Sequence, residues 1–131
     1  MVDEKKVEEK SESQAVTSLT DLYKLEREKE VVTGLKIKLK VLDYGEHLEV
    51  LSMLSRKDLT TNVVLQNHMF QLQTLKRATV SINDKIYDEK SRDELIDYFK
   101  SLPLKVMSAV NDFYSELAAE QDKIVESIKK K

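Results

Sequence analysis

The chain has 131 residues, of which 40% are hydrophobic and 35% are charged, and its formal net charge is −2. This length and apolar content fit one domain with its own core. The absence of cysteine excludes disulfides and thiolate metal sites, and the nearly balanced charge does not predict a basic surface for nucleic acid. Two glycines and one proline leave few sites for tight turns, so long helices are expected.

The first part of the chain is polar and charged. Residues 1–17 are mostly Glu, Lys, Ser and Asp and offer too few apolar groups to offset the entropy of ordering them, which predicts a flexible arm. Residues 18–131 then form the expected domain. Ser18 to Asp21 resembles a capping box, which predicts a helix from Leu19 to about Arg27.

An alternating segment follows. Leu35, Ile37, Leu39 and Val41 alternate with Lys36, Lys38 and Lys40, which predicts a strand with an apolar face and a lysine face. Gly34 can turn the chain, so we expect a hairpin with strands at about 29–32 and 35–42. The lysine row is typical of a soluble sheet edge. A third class of function, nucleic-acid binding, would require that row to face phosphates.

Two helices are expected next. Asp43, with Glu46 three residues on, predicts a capped helix from Tyr44 to Ser55. We expect its inward face to carry Leu48, Leu51 and Leu54. Asp58 predicts the cap of a second helix, over about 59–76.

The second of these helices lacks charge. No charged residue occurs from Leu59 to Leu75. One interpretation is a central helix wrapped by the rest of the domain. The other is a face buried against another protein, since interface centres are depleted in Lys and Glu. The candidate contact residues on this helix are Val64, Met69, Phe70 and Leu72.

A second hairpin is predicted at about 78–87. Ala78, Val80 and Ile82 alternate with polar residues, and the turn falls at 83–85. Ser91 to Glu94 resembles a capping box. It predicts a helix to about Ser101 whose apolar face carries Leu95, Ile96 and Phe99.

The terminal helix has the longest apolar pattern. Pro103 suits a helix start, and no breaker follows, which predicts a helix over about 103–130. A helix of about 28 residues is about 42 Å long, whereas a compact domain of about 100 residues has a radius of gyration of about 13 Å. We therefore expect the C-terminal half to project and meet a partner, unless the arm or the helix near Leu22 folds over it. The candidate contacts are Leu117, Gln121, Ile124 and Ile128.

No pattern in the sequence predicts catalysis. His47 and His68 lie on different predicted helices, and neither has a second histidine or carboxylate at metal-ligand spacing. The chain also lacks a Gly-rich phosphate loop and a nucleophile elbow. We expect no enzyme activity, no metal and no cofactor.

These patterns together predict an α+β fold that is predominantly helical. It has two short β-hairpins (about 29–42 and 78–87), four to five helices, and a long C-terminal amphipathic helix. No run approaches the ~20 apolar residues of a membrane span, and the first residues lack the apolar core of a secretory signal. We therefore expect a cytoplasmic protein that binds other proteins and neither nucleic acid nor a membrane.

The order of these segments resembles a known family. A strand ending in an acidic-aromatic turn before a helix (Leu35–Glu46) precedes Thr79–Lys85, an acidic helix and Phe113–Leu117 on the last helix. Over about 31–118 this order resembles the tail assembly chaperone-like proteins of bacteriophage tails and baseplate hubs. The resemblance implies a protein of the infected cell's cytoplasm, or one retained in the virion. It would bind tail-tube, hub or tape-measure-like proteins or self-associate. The alternative is a cellular adaptor or oligomeric scaffold unrelated to phage.

Overall fold

The computed structural model describes residues 19–22, 25–54 and 62–129. The predicted α+β class, predominantly helical, is confirmed. The predicted arm, the Ser18 cap, the Asp58 cap and the last two residues lie outside the described residues. The elements in chain order are α1 (Leu19–Leu22), β1 (Glu26–Val32), β2 (Leu35–Lys40), α2 (Tyr44–Leu54), α3 (Val63–Ala78), β3 (Thr79–Ile82), β4 (Lys85–Ile86), α4 (Asp93–Lys100) and α5 (Leu104–Ile128).

Both predicted hairpins are present and pair into one antiparallel sheet of order β1-β2-β3-β4. Gly34 turns the first hairpin with a φ of +91°, and Asn83 and Asp84 turn the second with φ of +48° and +71°. The Asn83 side chain joins the two turns. Its Oδ1 accepts from the Lys36 backbone N–H at 2.8 Å, and its Nδ2 donates to the Gly34 carbonyl at 3.2 Å.

The sheet has one apolar face and one charged face. On β2, Leu35, Ile37 and Leu39 are buried, as the alternation predicted. Residues directly opposite each other on antiparallel strands share a face. The outer face therefore carries glutamates of β1 opposite lysines of β2: Glu26 with Lys40, Glu28 with Lys38, and Glu30 with Lys36. The ion pairs of this lysine row lie beyond β1: Lys36 Nζ is 3.4 Å from Asp84 Oδ1 of the second turn, and Lys40 Nζ is 2.9 Å from Glu46 Oε2 of α2.

α5 packs against β1 and β2 on the apolar face of the sheet. Val110, Phe113 and Leu117 of α5 are buried in the same core cluster as Leu22 of α1 and Leu25. The expectation of a projecting C-terminal half is therefore wrong for Leu117, which is 1% exposed. The length comparison failed because a seven-residue strand such as β1 is about 23 Å long and extends the surface available to the helix.

Charged residues of β1 also contact α5. Arg27 and Lys29 lie opposite Leu39 and Ile37, so they share the apolar face of the sheet. Arg27 pairs with Glu120, and Lys29 Nζ lies 3.1 Å from Glu116 Oε1. These glutamates are four residues apart on α5 and therefore lie on one side of the helix.

Several predicted boundaries need correction. The first helix ends at Leu22, and Arg27 belongs to β1, which begins before the predicted residue 29. β2 ends at Lys40. The helix predicted over about 59–76 begins at Val63 in the described residues, because Asn62 caps it by accepting from the Leu65 N–H at 3.0 Å.

The capping box predicted for α2 is present, whereas the one predicted for α4 is not. Asp43 and Glu46 form the predicted capping box, with reciprocal backbone contacts of 2.7 and 3.0 Å. Ser91 does not cap α4, because its hydroxyl donates to Asp88 Oδ1 at 3.0 Å. Asp88 also accepts the Ser91 backbone N–H, which lowers the pKa of the Asp88 carboxyl. On α4, Leu95 and Phe99 are buried as predicted and Ile96 is half-buried.

Candidate functional site

The first turn of α3 exposes three consecutive large apolar residues. Val63 is 67% exposed, Val64 66% and Leu65 48%. Successive helical residues point about 100° apart, so the turn is open to solvent on more than one side. The same helix is buried at its other end, where Leu75 and Ala78 lie in the core. Neither sequence interpretation describes the whole helix, because its C-terminal end is central and its N-terminal turn is a surface.

α2 adds two exposed leucines beside α3. Leu48 is 45% exposed and Leu51 43%. The prediction that they face inward is wrong, because Val50 is the buried residue of α2. Leu54, predicted on the same inward face, is half-buried. α2 and α3 pack together, and the "α2–α3 surface" below consists of five of their exposed apolar residues: Leu48, Leu51, Val63, Val64 and Leu65. Its two parts are separated along α3, because Leu48 lines a cavity with Arg77, which lies 14 positions after Val63.

The candidate contacts predicted on α3 separate into two groups. Val64 lies in the exposed first turn of α3. Met69, Phe70 and Leu72 are half-buried. Leu72 packs against the core, and the Phe70 ring meets the His47 ring edge to face at 6.0 Å between centroids.

The candidate contacts predicted on α5 do not form a free stripe. Leu117 is buried, and Ile124 and Ile128 are half-buried against the core. Gln121 is half-buried as well. The apolar surface predicted on the C-terminal half of α5 is therefore covered, whereas α2 and α3 carry exposed apolar residues.

A groove runs between α2, α3 and α5. It consists of two adjoining cavities of about 310 and 360 Å³, which share the wall residues Phe70, Thr74 and Tyr114. We call it the Thr74 groove. Its inner cavity is lined by side chains without charge among the residues that the structure describes: Asn67, Phe70, Gln71, Thr74, Leu75, Asn111, Tyr114 and Ser115.

Two of the hydroxyl groups that line this groove belong to the buried Thr74 and the half-buried Tyr114. Thr74 is 6% exposed, and its Oγ1 is buried without a hydrogen-bond partner among the described residues. A buried hydroxyl without a partner costs roughly 1–3 kcal/mol. Burial raises the pKa of the Tyr114 phenol, although the Leu42 backbone amide acts in the opposite direction. The inner cavity is thus lined without charge, with a buried hydroxyl that lacks a partner among the described residues, whereas the outer cavity also contains Asp43 and His47.

An ion pair joins two of the helices. Lys76 Nζ lies 2.6 Å from Asp93 Oδ1, which joins α3 to α4 and lowers the pKa of that carboxyl. Across residues 19–22, 25–54 and 62–129, no three His, Cys, Asp or Glu side chains are grouped to hold a metal ion. Of the helices in these same ranges, none is both long enough and apolar enough to cross a membrane.

Comparison with protein-family models, with curated proteins and with solved structures finds no match for this chain.

Sequence reasoning missed the Thr74 groove. Thr74 lies within the uncharged run, which indicated the helix but not which of its polar residues would be buried. Asn111 and Tyr114 lie on α5, 37 and 40 positions further along the chain. On that helix the apolar pattern predicted Leu117 and Ile124 as contacts and gave no role to Asn111 or Tyr114. No local signal links the two helices, because the groove exists only through their tertiary packing.

Proposed function

We propose that this chain is a non-enzymatic protein–protein interaction factor that assists, or forms part of, a bacteriophage tail or baseplate assembly. The first turn of α3 is the observation that carries the interaction part. It presents Val63, Val64 and Leu65 to solvent at a helix start without a charged residue. The tail-assembly part is supported by the resemblance in segment order over about 31–118.

The α2–α3 surface has a composition suited to the centre of an interface. Interface cores are depleted in charged residues, and the run from Leu59 to Leu75 has none. A large apolar side chain contributes about 1.5–3 kcal/mol when fully buried. At their present exposures, burying the five residues would contribute on the order of 6 kcal/mol.

That contribution lies near the lower end of the cost of association, which is about 4–15 kcal/mol, and leaves little or no net affinity. A partner must therefore also contact residues around the surface. Standard interfaces bury about 800 Å² on each side, far more than five side chains supply. We infer that the α2–α3 surface is the centre of a larger contact with a tail-tube, hub or tape-measure-like protein.

Co-expression tests this proposal directly. The chain would be co-expressed with each tail-tube, hub and tape-measure protein of the genome that encodes it, and complexes would be measured by affinity co-purification and sedimentation. We expect one of these proteins to co-purify with the native chain. Val64→Asp should abolish the complex, because it places a charge in the contact centre.

Leu104→Asp is the matched control. Leu104 is 75% exposed at the start of α5, so this variant adds the same charge to an exposed apolar position outside the α2–α3 surface, and it should leave the complex intact. A complex that survives Val64→Asp would show that this surface is not the contact. If no tail protein co-purifies with the native chain, the tail-assembly proposal is wrong.

A further inference from the structure

We propose that the Thr74 groove binds residues 13–18 of this same chain. This segment reads Ser-Gln-Ala-Val-Thr-Ser and has no charged side chain, whereas most of the twelve residues before it are charged. It leads directly into α1. The inference is independent of the tail-assembly function, since it concerns an intramolecular contact.

The position of α1 places the segment beside the groove. Leu19 and Leu22 of α1 line a cavity of about 760 Å³ together with Leu42, Tyr44 and Gln121. Those last three residues also line the outer cavity of the groove. A chain that continues back from Leu19 therefore starts at the mouth of the groove.

The length of the segment matches the groove. α5 forms one wall from Gln121 at the outer end to Asn111 at the inner end. These residues are ten positions apart, which corresponds to about 15 Å along a helix. Six extended residues span about 20 Å. Residues 13–18 can therefore reach the inner cavity, and the charged residues before them remain outside it.

The chemistry of the inner cavity selects an uncharged peptide. Amide and hydroxyl side chains of Asn67, Gln71, Asn111 and Ser115 in the inner cavity can pair with backbone N–H and C=O groups. A bound peptide supplies hydrogen-bonding groups for the buried Thr74 hydroxyl, which has no partner within the described part of the chain. A charged segment would lose its hydration there without gaining a counter-ion. Phe70 and Leu75 give the apolar contact for Ala15 or Val16.

The absence of cysteine makes a site-specific test simple. In the full chain, Ser13→Cys gives one thiol for a nitroxide spin label, which broadens the NMR signals of nearby amides. We expect the backbone signals of Gln71, Thr74 and Asn111 to lose most of their intensity relative to the chemically reduced label. Signals of β4, which contributes no residue to the groove, serve as the internal reference.

A second variant tests binding as opposed to simple proximity. Val16→Asp in the labelled chain should restore the groove signals, because the added charge cannot be buried there. Unbroadened groove signals in the labelled native segment would overturn the proposal, and so would broadening that Val16→Asp leaves unchanged. A mixture of spin-labelled chain and isotope-labelled chain without the nitroxide should show no broadening. Broadening in that mixture would assign the groove to a second copy and would also overturn the proposal.

Discussion

Replacement of Leu117 by alanine tests whether the C-terminal half of α5 belongs to the domain. Leu117 is 1% exposed and lies in the core cluster with Leu25 and Ile37. Full burial of a leucine contributes about 1.5–3 kcal/mol, and the cavity left by truncation brings the usual cost of Leu→Ala to about 2–5 kcal/mol. Two ion pairs beside it, Lys29 with the preceding Glu116 and Arg27 with Glu120 three residues on, limit the ability of the helix to move inward. We therefore expect a loss of about 3–4 kcal/mol, within the range for well-packed sites.

The same helix provides the control. Leu104→Ala makes the same chemical change at a residue that is 75% exposed, and surface substitutions usually change stability by no more than about 0.5 kcal/mol. Urea unfolding followed by circular dichroism gives both free energies of unfolding. If Leu117→Ala lowers the free energy of unfolding no more than Leu104→Ala does, Leu117 is not part of the core. That result would favour the projecting C-terminal half expected from the sequence.

Three further predictions concern single side chains. Thr74→Val should raise the free energy of unfolding by about 1 kcal/mol in a Val16→Asp background, because a methyl group replaces a buried hydroxyl without a partner. In the native chain the gain should be smaller, and equal gains in both backgrounds would show that residues 13–18 do not supply the partner. Burial raises the pKa of Tyr114, so its stabilising contribution is complete below the ordinary tyrosine pKa of about 10 and is lost as the pH rises through the folded-state value. Urea midpoints measured across that range should fall less in Tyr114→Phe than in the native chain, and identical curves would contradict the prediction. Asn83→Gly should lower stability by about 1 kcal/mol through the lost side-chain hydrogen bonds, and Asn83→Ala by about 1 kcal/mol more because of the positive φ. Equal melting temperatures for the two variants would contradict the role of the positive φ.

Elements with strong local signals were predictable from the sequence. The alternation in β2, the capping box of Asp43 and Glu46, and the start of α5 after Pro103 each depend on neighbours in the chain. Their physical causes are short-range: side-chain direction on a strand, orphan N–H groups at a helix start, and the fixed φ of proline. The structure shows all of them where the patterns indicated.

Features set by tertiary packing were not predictable. β1 begins at Glu26 although Glu26 to Glu30 carries no apolar residue, because the strand pairs with β2 and its Arg27 and Lys29 form ion pairs with α5. The inward face of α2 is also set by its neighbour. Glu49 pairs with Arg77 of α3 at 3.0 Å, the adjacent Val50 is buried, and Leu48 and Leu51 stay exposed.

On α5, apolar residues recur at spacings of three and four, which predicted an apolar stripe on the helix but not the element that it contacts. Repeats of three and four residues place Val110, Leu117 and Ile124 on one side of a helix, whatever that side contacts. In this fold the contact is a sheet, and the glutamates beside the stripe pair with Arg27 and Lys29 of its edge strand. An exposed stripe and a sheet-packed stripe have the same sequence signature. What distinguishes the two cases here is the pairing of Arg27 and Lys29 of β1 with glutamates of α5. From the sequence alone, these two charged residues would be assigned to a solvent-exposed face. With α5 packed in this way, the exposed apolar residues on which the proposed interface function rests are those of α2 and α3.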